Sequence, residues 1–114
     1  MRSEIWMILV ALAVLGFFMF GRMGKTSAAD AHALVKDGAQ LVDVRTKAEF
    51  AQGHLPGAIN IPVEALDRRM SELDDKDKAL VIYCRSGARS GRAKRMLEKA
   101  GYTKVYDLGP MTAW

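Results

Sequence analysis

The stretch Ala79-Leu80-Val81-Ile82-Tyr83-Cys84-Arg85-Ser86-Gly87-Ala88-Arg89-Ser90 decides how this chain reads. Its first five residues are apolar and unbroken, as in a strand buried on both faces of a parallel sheet. The run stops at Cys84, passes through small residues and enters a predicted helix over residues 90–99. The apolar positions of that helix are Ala93, Met96, Leu97 and Ala100, and Gly101 caps its end.

Working outward, the same alternation repeats. Ser27 and Asp30 have capping-box spacing and open a helix that sends Ala31, Leu34 and Val35 to a core. Gly38 ends it, and residues 40–44 read as a short strand. Thr46 and Glu49 form a second capping box, for a brief helix stopped at Gly53. His54-Leu55-Pro56-Gly57 is turn chemistry. A strand follows over residues 58–61, broken by Pro62. Val63, Leu66, Met70 and Leu73 share one face of a predicted helix over residues 63–73. After a charged turn and the Cys84 strand and its helix, residues 104–108 form a last strand. Gly109-Pro110 then turns into a partial helix ending at Trp114. Strands alternating with helices predict an α/β domain with a largely parallel sheet. In such sheets ligands sit beyond the carboxyl ends of strands, and Cys84 stands at one.

The N-terminus differs in composition. Residues 5–20, Ile-Trp-Met-Ile-Leu-Val-Ala-Leu-Ala-Val-Leu-Gly-Phe-Phe-Met-Phe, carry no charge. As a helix they would span about 24 Å, short of the roughly 30 Å of a bilayer core. Extension to Met23 closes the gap if Arg22 snorkels, and Trp6 suits an interface. We therefore expect an N-terminal segment, residues 1–26, holding one transmembrane helix over residues 5–23, and a domain over residues 27–114. A cleaved leader is the alternative, favoured by Ser27-Ala28-Ala29 and opposed by Arg22, Lys25 and the Arg2–Glu4 start. Arg22, Lys25 and Lys36 after the span, against Arg2 before it, place the domain on the cytoplasmic side of the inner membrane. A periplasmic domain is the alternative.

The chain has 17 basic and 13 acidic residues and a net charge of +4. Half of the excess flanks the apolar stretch. Arg85, Arg89, Arg92, Lys94, Arg95 and Lys99 crowd one segment, but no aromatic residues are interleaved and no nucleic-acid motif is present. No nucleic-acid partner is expected. One cysteine excludes an intrachain disulfide. With two histidines, His32 and His54, no metal-ligand cluster is visible and no cofactor is implied.

A lone cysteine ending an apolar strand is ordinarily a small buried hydrophobe. Three neighbours change that here. Ser86-Gly87-Ala88 are small enough for successive N–H groups to turn around one point as an anion-binding nest, with Gly87 supplying an unusual dihedral. The loop feeds a helix N-terminus. Arg85 and Arg89 add positive charge. All three favour thiolate, the nucleophilic form.

These residues resemble the single-domain rhodaneses, thiosulfate sulfurtransferase-like proteins. The likeness is carried by Leu41-Val42-Asp43-Val44-Arg45, by Glu49-Phe50, by Gly53-His54-Leu55-Pro56-Gly57-Ala58-Ile59-Asn60-Ile61-Pro62, and by Val81 through Ser90. The tail from Asp107 to Trp114 fits imperfectly. The resemblance implies a rhodanese-like, mostly parallel five-stranded sheet with helices on both faces. It implies that Cys84 takes a sulfane sulfur from thiosulfate or a similar donor, holds it as a persulfide, and passes it to cyanide or to a thiol, small molecule or protein. The backbone of Arg85, Ser86, Gly87, Ala88 and Arg89 would line the substrate pocket. Asp43 and Arg45 would support the sheet end, His54 would be a turn residue, and Glu49 a helix cap. Where the family tail has two glycines, this chain has Gly109-Pro110, which would reshape the rim.

Two rivals stand beside this reading. Phosphatases and arsenate reductases also place Cys and Arg around an anion, but with one more residue between them than the four here, Arg85, Ser86, Gly87 and Ala88. A shorter loop makes a smaller cradle. A non-enzymatic rhodanese-like binding module at the membrane is the other alternative.

Overall fold

The computed structural model describes residues 24–114. The expected anchor over residues 5–23 lies outside them, and no helix among the described residues is long and apolar enough to cross a membrane. Within the domain the elements run α1 (Ala28–Lys36), β1 (Gln40–Asp43), α2 (Lys47–Gln52), β2 (Ile59–Asn60), α3 (Leu66–Arg69), β3 (Leu80–Cys84), α4 (Ala88–Lys99) and β4 (Val105–Pro110).

The strands form one parallel sheet in the order β2-β1-β3-β4. β3 is central and every one of its side chains is buried. Its period of two divides the core. Leu80, Ile82 and Cys84 join Val42, Val44, Leu66, Ala93 and Leu97 on the α3 and α4 side. Val81 and Tyr83 join Leu41, Leu108 and Ala31 on the α1 side. A strand flanked by two strands and covered on both faces has no solvent side, which is why its sequence does not alternate. Each fully buried Leu, Ile or Val contributes about 1.5–3 kcal/mol.

The five strands implied by the family resemblance are four among the described residues. The segment before α1 runs beside β4 but makes a single backbone bond to it, Thr26 N–H to Asp107 O at 2.6 Å. One bond does not make a ladder. The helix expected over residues 63–73 is broken into a 3₁₀ turn at Val63–Ala65, α3, and a second 3₁₀ turn at Met70–Glu72. Side chains take carbonyls there: Tyr102 Oη donates to Met70 O at 3.2 Å and Gln40 Nε2 donates to Glu72 O at 3.5 Å. Its apolar side still reaches the core, through Val63, Leu66, Met70 and Leu73.

Caps follow the sequence. Ser27 Oγ accepts from Asp30 N–H at 3.1 Å, a single-bond cap. At Thr46 and Glu49 the reciprocal box is complete. β4 carries a bulge, since Ile82 pairs with Asp107 but Tyr83 pairs with Gly109. The extra residue, Leu108, packs with the α1 cluster. Gly109 takes φ +86°, which suits glycine. Pro110 has φ −72°, its natural value, so the Gly109-Pro110 pair fits this strand without distortion.

The buried pair Asp43–Arg45 ties the sheet end together. Arg45 donates from Nε and Nη2 to both carboxylate oxygens, at 3.1 and 2.7 Å to Oδ2, and from Nη2 to Gly53 O at 2.7 Å. Both residues are almost inaccessible, at 0% and 6% exposure. Removing one partner of such a pair strands a buried charge. Arg45→Met is expected to lower the unfolding free energy by about 3 kcal/mol in urea titrations. Arg68→Met, on the exposed face of α3, is expected to stay within about 0.5 kcal/mol of the parent.

Candidate active site

β3 delivers Cys84 to the carboxyl edge of the sheet, and the chain re-enters a helix at Ala88. The turn is tight because Gly87, the residue before α4, takes φ +99°, a conformation costly for a residue with Cβ. This reversal aims N–H groups back at the sulfur. Gly87 N–H donates to Cys84 Sγ at 2.9 Å. Sγ lies 3.5 Å from Ser90 Oγ, to which the thiol donates, and the Ser90 hydroxyl donates onward to Gly87 O at 3.2 Å. Both Cys84 and Ser90 are fully buried, while Arg85, Ser86 and Ala88 are exposed above them.

Burial is the largest influence on the thiol and pushes its pKa up. The Ser90 hydroxyl and the N–H groups of Ser90, Gly87 and Ser86 oppose it and together prevail, so the pKa falls below the ordinary thiol value. The start of α4 adds its dipole in the same sense. On ionisation the Ser90 hydroxyl has reason to turn from Gly87 O to the sulfur, since a hydrogen bond to a charged acceptor is the stronger one.

The arginines behave differently from each other. Arg85 is exposed and lines a surface cleft of about 380 Å³ with Arg45, Glu49, Gln52, Gly53, Met111 and Thr112. Arg89 does not offer a free charge. Its Nη1 and Nη2 grip the Glu49 carboxylate at 2.6 and 3.0 Å. Glu49 therefore does two jobs, capping α2 and pairing with the first turn of α4. The Arg89 guanidinium, and after it the Thr46 N–H, hold the Glu49 carboxyl at about 2. Asp43 and Arg45 stand one strand away from Cys84, and Arg45 reaches the same cleft as Arg85. His54 stacks on Phe50, with centroids 3.7 Å apart, and its Nδ1 meets Phe50 O at 3.0 Å. It is built into the turn. Among the described residues no group of His, Cys, Asp and Glu is arranged to hold a metal.

Three contributors escaped the sequence reading. Ser90 reads there only as the start of a helix, though a hydroxyl in the first turn after a cysteine loop is a usable signal. Tyr83 fixes the neighbouring loop: its Oη accepts from Leu55 N–H at 3.1 Å, and burial pushes its pKa up to about 12. Lys25, read as a charge flanking the apolar stretch, instead donates to Gly87 O at 3.1 Å and to Asp107 Oδ2 at 2.7 Å.

The α/β domain cradles its cysteine between a strand end and a helix N-terminus, an arrangement that favours the thiolate form. The particular family follows from comparison. Residues 27–114 match the rhodanese-like domain, and the chain belongs to that family. It is 51% identical over 75 residues to a sulfurtransferase of Allochromatium vinosum, covering 65% of this chain and 69% of that one. It is 39% identical over 69 residues to the thiosulfate sulfurtransferase PspE of Escherichia coli, covering 60% and 66%. Among solved structures, a rhodanese with anions from E. coli superposes with TM-score 0.64 at 35% identity, covering 68% of this chain and 92% of that one. The human single-domain sulfurtransferase TSTD1 does so with TM-score 0.65 at 28% identity, covering 80% and 91%.

Two outcomes follow from the site. The Glu49 pKa is lowered in the folded chain, so its stabilising contribution is full above its ordinary value of 4.5 and is lost as pH falls toward about 2. Glu49→Gln should flatten the acid limb of the stability–pH curve in that window, measured by urea unfolding. Ser90→Ala should raise the pH at which thiolate absorbance near 240 nm appears.

Proposed function

We propose that this chain is a sulfurtransferase that carries sulfane sulfur on Cys84. The supporting observation is the buried sulfur held by Gly87 N–H at 2.9 Å, with Ser90 beside it. That arrangement stabilises an anion on sulfur where burial alone would suppress it. With thiosulfate as donor, the Cys84 thiolate attacks the outer sulfur. The sulfur–sulfur bond of thiosulfate breaks, sulfite leaves with the electron pair, and Cys84 becomes a persulfide. An acceptor thiolate, or cyanide in an assay, then attacks the outer sulfur and Cys84 leaves as thiolate. No oxidant or reductant is consumed. The nest of N–H groups over residues 85–89 would meet the charge on the terminal sulfur at every stage.

The names of the relatives support the reaction class, and PspE supports thiosulfate as a donor. A putative sulfur carrier protein, YrkF of Bacillus subtilis, is 37% identical over 75 residues, 40% of its own length, and supports a thiol or sulfur-carrier acceptor. We place the domain at the cytoplasmic face of the inner membrane, held by residues 5–23, on the strength of their apolar sequence and the basic residues that follow. A reporter fused after Trp114 that is active only outside the cytoplasm would overturn that orientation.

The full exposure loss at Cys84 is the one observation that suits a module that binds without turning over. Mass separates the two. The full chain incubated with thiosulfate should gain one sulfur mass, and Cys84→Ala should gain none. Absence of any gain with several sulfane donors would sink the carrier reading. Phosphate-ester hydrolysis measured alongside should show no dependence on Cys84.

A further inference from the structure

Lys25 precedes α1, far from Cys84 in sequence, yet its side chain lies against the back of the cysteine loop. Two glycines make the room. A Cβ at Gly109 would lie 3.2 Å from Lys25 Cδ, and one at Gly87 would lie 3.4 Å from Nζ. Nζ binds Asp107 Oδ2 at 2.7 Å and Gly87 O at 3.1 Å. Asp107 is itself buried, at 1% exposure, and its other oxygen accepts from Gly109 N–H at 2.8 Å. The ammonium thus balances a buried carboxylate and saturates one particular carbonyl.

That carbonyl is the one the Ser90 hydroxyl also uses. Gly87 O accepts from Lys25 Nζ, from Ser90 Oγ at 3.2 Å and from Gly91 N–H at 3.1 Å. Three donors compete for one oxygen. Ser90 must leave it to donate to a Cys84 thiolate, and it leaves readily only if the oxygen stays satisfied. We propose that Lys25 is a positioning residue for Cys84: by holding Gly87 O and neutralising Asp107, it frees the Ser90 hydroxyl to turn to the sulfur.

The other charges around the loop do not perform this role. Arg89 on α4 is gripped by Glu49 of α2. Arg85 is exposed on the loop, and Arg45 on the β1 side is occupied by Asp43. Arg95 on α4 has a side-chain nitrogen 3.8 Å from where a Cβ on Gly91 would be, as Asp107 Oδ2 is, but among the described residues the ion pair to Asp107 is made by Lys25. His32 and His54 bond Trp114 O and Phe50 O instead.

The inference rests on Cys84 as the reactive sulfur, but its test needs no sulfur donor. Thiolate absorbance near 240 nm is titrated in the full chain, with Cys84→Ala as blank. Lys25→Met should cut the thiolate-to-thiol ratio at fixed pH about fivefold, the worth of one hydrogen bond, with the midpoint rising accordingly. Lys25→Arg, which keeps a charged donor, should restore it. Arg92→Met, an exposed charge on α4, should leave it in place. Because Lys25→Met strands Asp107, the pair Lys25→Met with Asp107→Asn is titrated as well and should still show the raised midpoint. An unmoved midpoint in either folded variant, or a shift no larger than that of Arg92→Met, overturns the proposal. Failure of thiosulfate to load the parent chain would count against the transferase reading and leave this titration unaffected.

Discussion

Burial by itself pushes the pKa of Cys84 up. The short contact from Gly87 N–H to Sγ, with Ser90 completing the cradle, outweighs that effect and brings the pKa below the ordinary thiol value, and the rest of the domain holds the cradle in place. Gly87 can aim its N–H inward because its φ is positive. Its carbonyl consequently faces the other way, where Lys25, Ser90 and Gly91 meet it. One residue in a conformation glycine tolerates therefore sets both the donor side and the acceptor side of the loop.

The support around that loop is ionic and tertiary. β3 brings Cys84 to the sheet edge between β1 and β4. On the β1 side, Arg45 fastens Asp43 to the Gly53 carbonyl, and Tyr83 fastens the Leu55 N–H. On the α2 side, Glu49 fastens Arg89. On the β4 side, Asp107 fastens Gly109 and Lys25. The clamps through Arg45, Tyr83 and Lys25 each link a strand to a loop, and the Glu49–Arg89 pair links α2 to the first turn of α4, so side chains hold the positions around Cys84 where no ladder reaches.

Much of this was legible in the sequence where a cause is local. The unbroken apolar run of β3, the capping box at Thr46 and Glu49, and the small residues after Cys84 are all determined within a few positions. The α/β class and the identity of the nucleophile candidate follow from them. What was not legible depends on distance along the chain. Arg89 looks like free positive charge until Glu49, forty residues earlier, is seen to bind it. Lys25 looks like a membrane flank until Asp107, eighty-two residues later, is seen beside it. The fifth strand came from the family resemblance and not from these residues, whose own pattern supplies four. The broken helix after Pro62 kept the predicted apolar face while losing its ladder, because spacing reports which side chains are buried and not which carbonyls are taken by side chains.

If the cradle carries sulfane sulfur as we propose, Cys84 bears that sulfur inside the cell. The most direct measurement is the state of Cys84 in chain isolated from cells whose thiols and persulfides were alkylated before lysis. A peptide containing Cys84 that carries one additional sulfur beneath the alkyl group is the expected product. Recovery of Cys84 solely as the simple alkylated thiol, from cells supplied with thiosulfate, would contradict it.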